Sequence, residues 1–92
     1  MGEIEAFILL SQATPLVKQM RSDEGLYKLS EADLIKLQGV RRVCKAGYSR
    51  NYRILGAAGL TMNDLAMLVG SLTFHERHVR RSVEFRFSFG SA

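Results

Sequence analysis

The chain has 92 residues, of which 47% are hydrophobic and 24% charged, the proportions of an ordinary folded domain rather than of a disordered, collagenous or low-complexity chain. That length suits a single domain with one small core, and a buried multi-residue catalytic cavity would compete with it, so an enzyme is not expected. The net charge of +4 is unevenly spread, with residues 1–36 at −2 and residues 37–92 at +6, and the basic half uses eight arginines and one lysine.

Cys44 is the single cysteine, which rules out an intrachain disulfide. A zinc site would have to combine it with His75, His78 and a carboxylate across a wide gap, so neither a metal nor a cofactor is expected. The longest apolar run, Ala6 to Leu10, falls far short of the roughly 20 residues of a spanning helix. Glu3 and Glu5 precede it, the wrong sign for a signal peptide. A free thiol without an export signal points to the cytoplasm or nucleoid, with no membrane partner.

In chain order, Glu3 to Ala13 reads as a helix with Ile4, Phe7, Ile8 and Leu10 inward, and a strand over Ala6–Leu10 is the alternative. Thr14-Pro15 reads as the cap and first position of a short second helix carrying Leu16, Val17 and Met20. Ser22 to Gly25 reads as a turn. Ser30 and Asp33 form a capping box that opens the next helix, with Leu34, Leu37, Val40 and Cys44 on its apolar face. Gly39 weakens its middle and is a place where it could divide, and Gly47 suits a C-cap. Ser49 to Ala58 reads as helical, with a poorly defined apolar face.

Thr61 and Asp64 form another capping box, and Met62 to Val69 reads as a short helix that Gly70 stops. Asn63 and Asp64 are read as facing out. Ser71-Leu72-Thr73 reads as a turn. A further box, Thr73 to Glu76, opens a second helix with Val79 and Val83 inward and Arg77, Arg80 and Arg81 on the opposite face. Ala66 is the small residue expected where the two helices cross. From Val83 the period changes: Val83, Phe85, Phe87 and Phe89 alternate with Glu84, Arg86 and Ser88, as in a half-buried strand over 83–89. Such a strand needs a partner, either Ala6–Leu10 or the same strand of a second copy, with Phe85, Phe87 and Phe89 at the interface.

The segment Thr61-Met62-Asn63-Asp64-Leu65-Ala66-Met67-Leu68-Val69-Gly70 resembles the first helix and turn of bacterial helix-turn-helix regulators, especially the winged, catabolite-activator-type domains. Val79-Arg80-Arg81-Ser82-Val83 resembles the body of their recognition helix. The resemblance covers about a quarter of the chain, and the turn from Gly70 to Val79 is about two residues longer than usual. It implies a helix-turn-helix over residues 61–83 and a transcriptional regulator that binds double-stranded DNA.

The fold expectation is therefore mostly α, a small helical bundle in one domain over residues 1–92, with a helix-turn-helix and a C-terminal β-strand. Thr73, His75, Arg77, His78, Arg80 and Arg81 are the candidate DNA-contacting residues. Arg41, Arg42, Lys45, Arg50 and Arg53 form a secondary basic patch, with Tyr48 and Tyr52 placed to stack on bases. The alternative is a small adaptor or inhibitor that binds a protein partner, an acidic one, through the arginine face or the phenylalanine segment. No nucleotide-binding, metalloprotease or serine-hydrolase motif is present in the sequence.

Overall fold

Two reciprocal caps fix where two of the helices begin. Ser30 and Asp33 exchange side-chain and backbone hydrogen bonds at the start of α2 (Glu31–Lys45). Thr61 and Asp64 do the same at the start of α4 (Met62–Gly90), at 2.8 and 3.2 Å. Before them lies α1 (Glu3–Ser22), and between them a 3-10 turn (Tyr48–Arg50) and the short α3 (Tyr52–Ala57), capped by the Asn51 side chain on the Ile54 amide. The computed structural model describes residues 1–22 and 28–90, with side chains through Val79. Residues 23–25 of the predicted turn lie outside the described residues.

The N-terminal segment is one helix, not two. Pro15 sits inside α1, where a missing N–H and a ring clash cost roughly 3 kcal/mol. The helix continues because its inner face is buried on both sides of the proline: Ala6, Leu10 and Ala13 before it, Leu16 and Val17 after it. Each buried Leu or Val contributes roughly 1.5–3 kcal/mol, which outweighs the defect. Thr14 is therefore no cap. Its hydroxyl lies 3.1 Å from the Leu10 carbonyl and 2.7 Å from the Ala58 carbonyl, the latter tying α1 to the end of α3. Of the residues expected inward on the first part of α1, Leu10 is buried, whereas Ile4, Phe7 and Ile8 are exposed. The small Ala6 and Ala13 face inward instead and let neighbouring helices come close.

In α2 the expected face holds: Leu37 and Val40 are fully buried, and Leu34 and Cys44 are partly so. Gly39 does not divide the helix. It is buried, and a Cβ there would lie 3.2 Å from Leu9 Cδ2, so the glycine leaves room for α1 to pack against α2. Gly47 adopts φ +94 after the helix ends, a left-handed conformation suited to glycine. In α3, Ile54 and Leu55 are buried, whereas Tyr52 is exposed.

The largest correction concerns α4. The predicted stop at Gly70 and turn at 71–73 are absent, and one helix runs from Met62 through Gly90. Gly70 is exposed and is not among the described glycines with positive φ. The apolar stripe passes straight through it, with Leu65, Leu68 and Leu72 all buried at helical spacing. Ser71 and Thr73 donate to the carbonyls of Met67 and Val69, at 2.8 and 3.0 Å, as hydroxyls inside a helix do. The predicted box at Thr73–Glu76 does not form, because inside a continuous helix those amides already have partners; the Glu76 carboxylate binds Arg41 on α2. The helix-turn-helix division of residues 61–83 is thus replaced by one helix. Ala66, expected at a crossing, is exposed, while Asp64, expected to face out, is buried.

The strand over 83–89 is also replaced, since the backbone there belongs to α4. A lone strand would leave its backbone groups without a ladder, and no strand occurs among the described residues. The side chains of Phe85, Phe87 and Phe89 lie outside the described ones.

The core joins Leu10 of α1, Leu37, Val40 and Val43 of α2, Leu55 of α3, and Leu68 and Leu72 of α4, all essentially inaccessible. Among the described side chains of α4 the last buried one is Leu72, and the helix backbone continues to Gly90. The radius of gyration of 15.3 Å exceeds the roughly 12 Å expected for a sphere-like domain of this length.

Candidate interaction surface

Ion pairs among the described residues fasten the helices around the core. Arg21 at the end of α1 binds the buried Asp64 at the start of α4, so one carboxylate both caps α4 and anchors α1. Arg53 pairs with Glu3 at 2.9 Å, joining α3 to the start of α1. Arg41 spans α2 to α4, its guanidinium bidentate on Glu76 at 3.2 and 2.5 Å and within 3.4 Å of the Thr73 hydroxyl. That hydrogen bond holds the Glu76 carboxyl below its ordinary range; desolvation, the next largest influence, opposes it, and the charges around it, that of Arg41 first, add to the lowering. The same contact raises Arg41. Partial burial pushes the Cys44 thiol up, so it behaves as a packed apolar group rather than a nucleophile.

These contacts decide what became of the predicted site residues. Of the secondary basic patch, Arg41 and Arg53 are spent on ion pairs within the fold, while Arg42, Lys45 and Arg50 are exposed. Thr73 and His75 are half-buried on α4, and Arg77 and His78 are exposed. At about 100° per residue, Thr73 and Arg77 fall on one side of the helix and His75 and His78 on the opposite side. The structure thus does not gather the described members of the set onto one face. Arg80 and Arg81 have side chains outside the described ones.

What sequence reasoning missed is an apolar groove. A half-open trough of about 930 Å³ runs between the end of α1, Lys28-Leu29 and α4. Its apolar surface comes chiefly from Met20, Leu29, Met67 and Phe74, and its cationic or imidazole groups are Lys28, His75 and His78. Phe74 is 74% exposed, and its ring stacks on His78 with centroids 6.5 Å apart. Among the described residues, no acidic side chain lines the groove and no buried side-chain nitrogen or oxygen lacks a partner. The trough is therefore defined by apolar surface, not by an orphaned polar group awaiting a ligand. The signal was present in the sequence: Met67, Ser71, Phe74 and His78 follow one another at helical spacing, which is visible only if Gly70 is read as helix interior.

Among the described residues, no group of three or more His, Cys, Asp or Glu side chains could hold a metal ion. No helix of the described residues is long and apolar enough to cross a membrane. Comparison with protein-family models, with curated proteins and with solved structures found no match to this chain.

Proposed function

We propose that this chain is a small adaptor or inhibitor that acts by binding an acidic partner protein. The observation that carries this reading is apolar surface left in water beside a cation on α4: Phe74 is 74% and Val79 45% exposed, on either side of Arg77 in the chain. Large exposed apolar side chains bordered by polar ones are the ordinary signature of a protein-binding surface. Duplex recognition asks for something else, namely cations available to phosphates and base-reading side chains on one helix face. Here Arg41 and Arg53 are engaged by Glu76 and Glu3, and the described candidate residues of α4 divide between opposite sides of the helix. The resemblance to helix-turn-helix regulators also loses its turn, since α4 is continuous through Gly70.

Affinity capture from the source cell, with and without nuclease, tests the proposal alongside a labelled pool of random DNA duplexes. Nuclease-resistant capture of an acidic protein, lost on Phe74→Glu and weakened by Arg77→Glu, is the expected result. Duplex binding that falls steeply with salt, with no nuclease-resistant partner, would overturn it in favour of a DNA-binding role.

A further inference from the structure

We infer that the groove between α1, Leu29 and α4 is the seat of an acidic amphipathic helix of the partner, an assignment that rests on the protein-binding reading above and gives it a chemistry. Three features of the trough select this occupant. The first is length. Its α4 wall extends from Ala66 to His78, which is about 18 Å of helix axis and matches three turns of a bound helix. The second is shape. The trough is half-open, so it can cover one face of a helix while the other stays in water. A single-chain amphiphile lying there would leave much of its own surface wet, where small-ligand sites bury 70–90% of theirs.

The third feature is composition. Met20 of α1 and Met67 of α4 put flexible, polarizable thioethers in the groove lining, the residue type that moulds to the apolar anchors of a docked helix. The charges set the sign of the partner: Lys28 borders the apolar surface, Arg77 follows on the exposed side of α4, and no acid lines the described groove. A helix with apolar residues at i, i+3, i+4 and i+7 and glutamates on its flanks complements this arrangement. A basic helix meets like charge at each edge.

The methionines supply the assay. The chain holds four, Met1, Met20, Met62 and Met67, of which two line the groove and two do not. The full chain, labelled with ¹³C at the methionine methyls, is titrated with a synthetic helix of about 14 residues bearing leucines at that spacing and glutamates elsewhere. The expected result is saturable movement of the Met20 and Met67 signals, with Met1 and Met62 unmoved. Ala66→Glu, at an exposed position in the groove wall, should weaken binding by about tenfold or more while leaving the helical circular dichroism intact. A permuted peptide of the same composition, or one with lysine in place of glutamate, should not bind.

Groove signals that stay still overturn the assignment. So do equal shifts with the permuted or lysine peptide, which would mean unspecific contact, and shifts with decanoate but not with the peptide, which would mean a small-amphiphile site. If the peptide fails while partner capture holds, the groove is excluded and the adaptor reading stands. Peptide binding without any captured partner supports the groove and overturns the adaptor role.

Discussion

Replacing Gly70 with alanine separates a continuous α4 from two helices joined by a turn. In the continuous helix Gly70 is exposed, lies outside the set of positive-φ glycines, and has no heavy atom within 4 Å of where a Cβ would stand. Alanine then costs nothing in packing and removes freedom from the unfolded chain, so Gly70→Ala should add about 0.4–1 kcal/mol. For a domain of this length that raises Tm by roughly 2–8 °C. If Gly70 closed a helix in the left-handed conformation, as a helix-turn-helix would use it, alanine would instead meet a penalty of about 1–2 kcal/mol. Gly59 is the internal reference. Its φ is +77, and a Cβ would meet only Thr14 Cγ2 at an ordinary 3.8 Å. Gly59→Ala should therefore lose roughly 1 kcal/mol through backbone strain alone, net of the unfolded-state gain. Thermal melts followed at 222 nm, checked by urea unfolding, read both variants against the parent. A Gly70→Ala protein destabilised as much as Gly59→Ala would refute the continuous helix.

At the α1–α2 crossing, Gly39→Ala should stay within about 0.5 kcal/mol of the parent, because a helix-propensity gain of about 0.8–1 kcal/mol is offset by displacing the half-buried Leu9 side chain. Gly39→Leu should lose about 1–3 kcal/mol by overpacking, and equal urea midpoints for the parent and Gly39→Leu would show that the helices do not meet there. The depressed Glu76 carboxyl gives a pH signature. Its folded form binds a proton less readily than the unfolded chain, so the stabilisation is complete above the unfolded value of about 4.3 and is lost as pH falls through the lower folded value. Glu76→Gln lacks this loss, so its Tm should fall less than the parent's between pH 5 and pH 3, and parallel curves would exclude the Arg41–Glu76 pair from stability.

What could be read from the sequence was local. Ser30 with Asp33 and Thr61 with Asp64 satisfy each other three residues apart, so no knowledge of the fold was needed to place those caps. Thr73 with Glu76 has the same spacing and fails, because both lie inside a continuous helix whose amides are already bonded, and the carboxylate is left for Arg41, 35 residues away. The inner face of α1 was only partly legible: Leu10, Leu16 and Val17 belong to it, but Ala6 and Ala13 complete it while isoleucines and a phenylalanine point outward. Pattern reading weights bulk, and a close helix crossing rewards its absence. The terminal alternation was ambiguous by arithmetic. Val83 and Phe87, like Phe85 and Phe89, are four apart, so the run that alternates as a strand also contains two helical pairs. The groove could not be read at all once Gly70 was taken as a stop, since its α4 wall lies on both sides of that residue.

A single helix that belongs both to the body and to what extends from it turns its root into a fulcrum. Leu68 and Leu72 clamp α4 in the core, and Arg41 holds it at Glu76. The backbone then runs 14 residues further to Gly90, a reach of about 21 Å. Tilting the root by about 10° would sweep the far end through roughly 4 Å, given the same rise per residue. A change of core volume at Leu72, or release of the Arg41 strut, is therefore multiplied with distance. It re-aims the tip of the helix without touching any residue there.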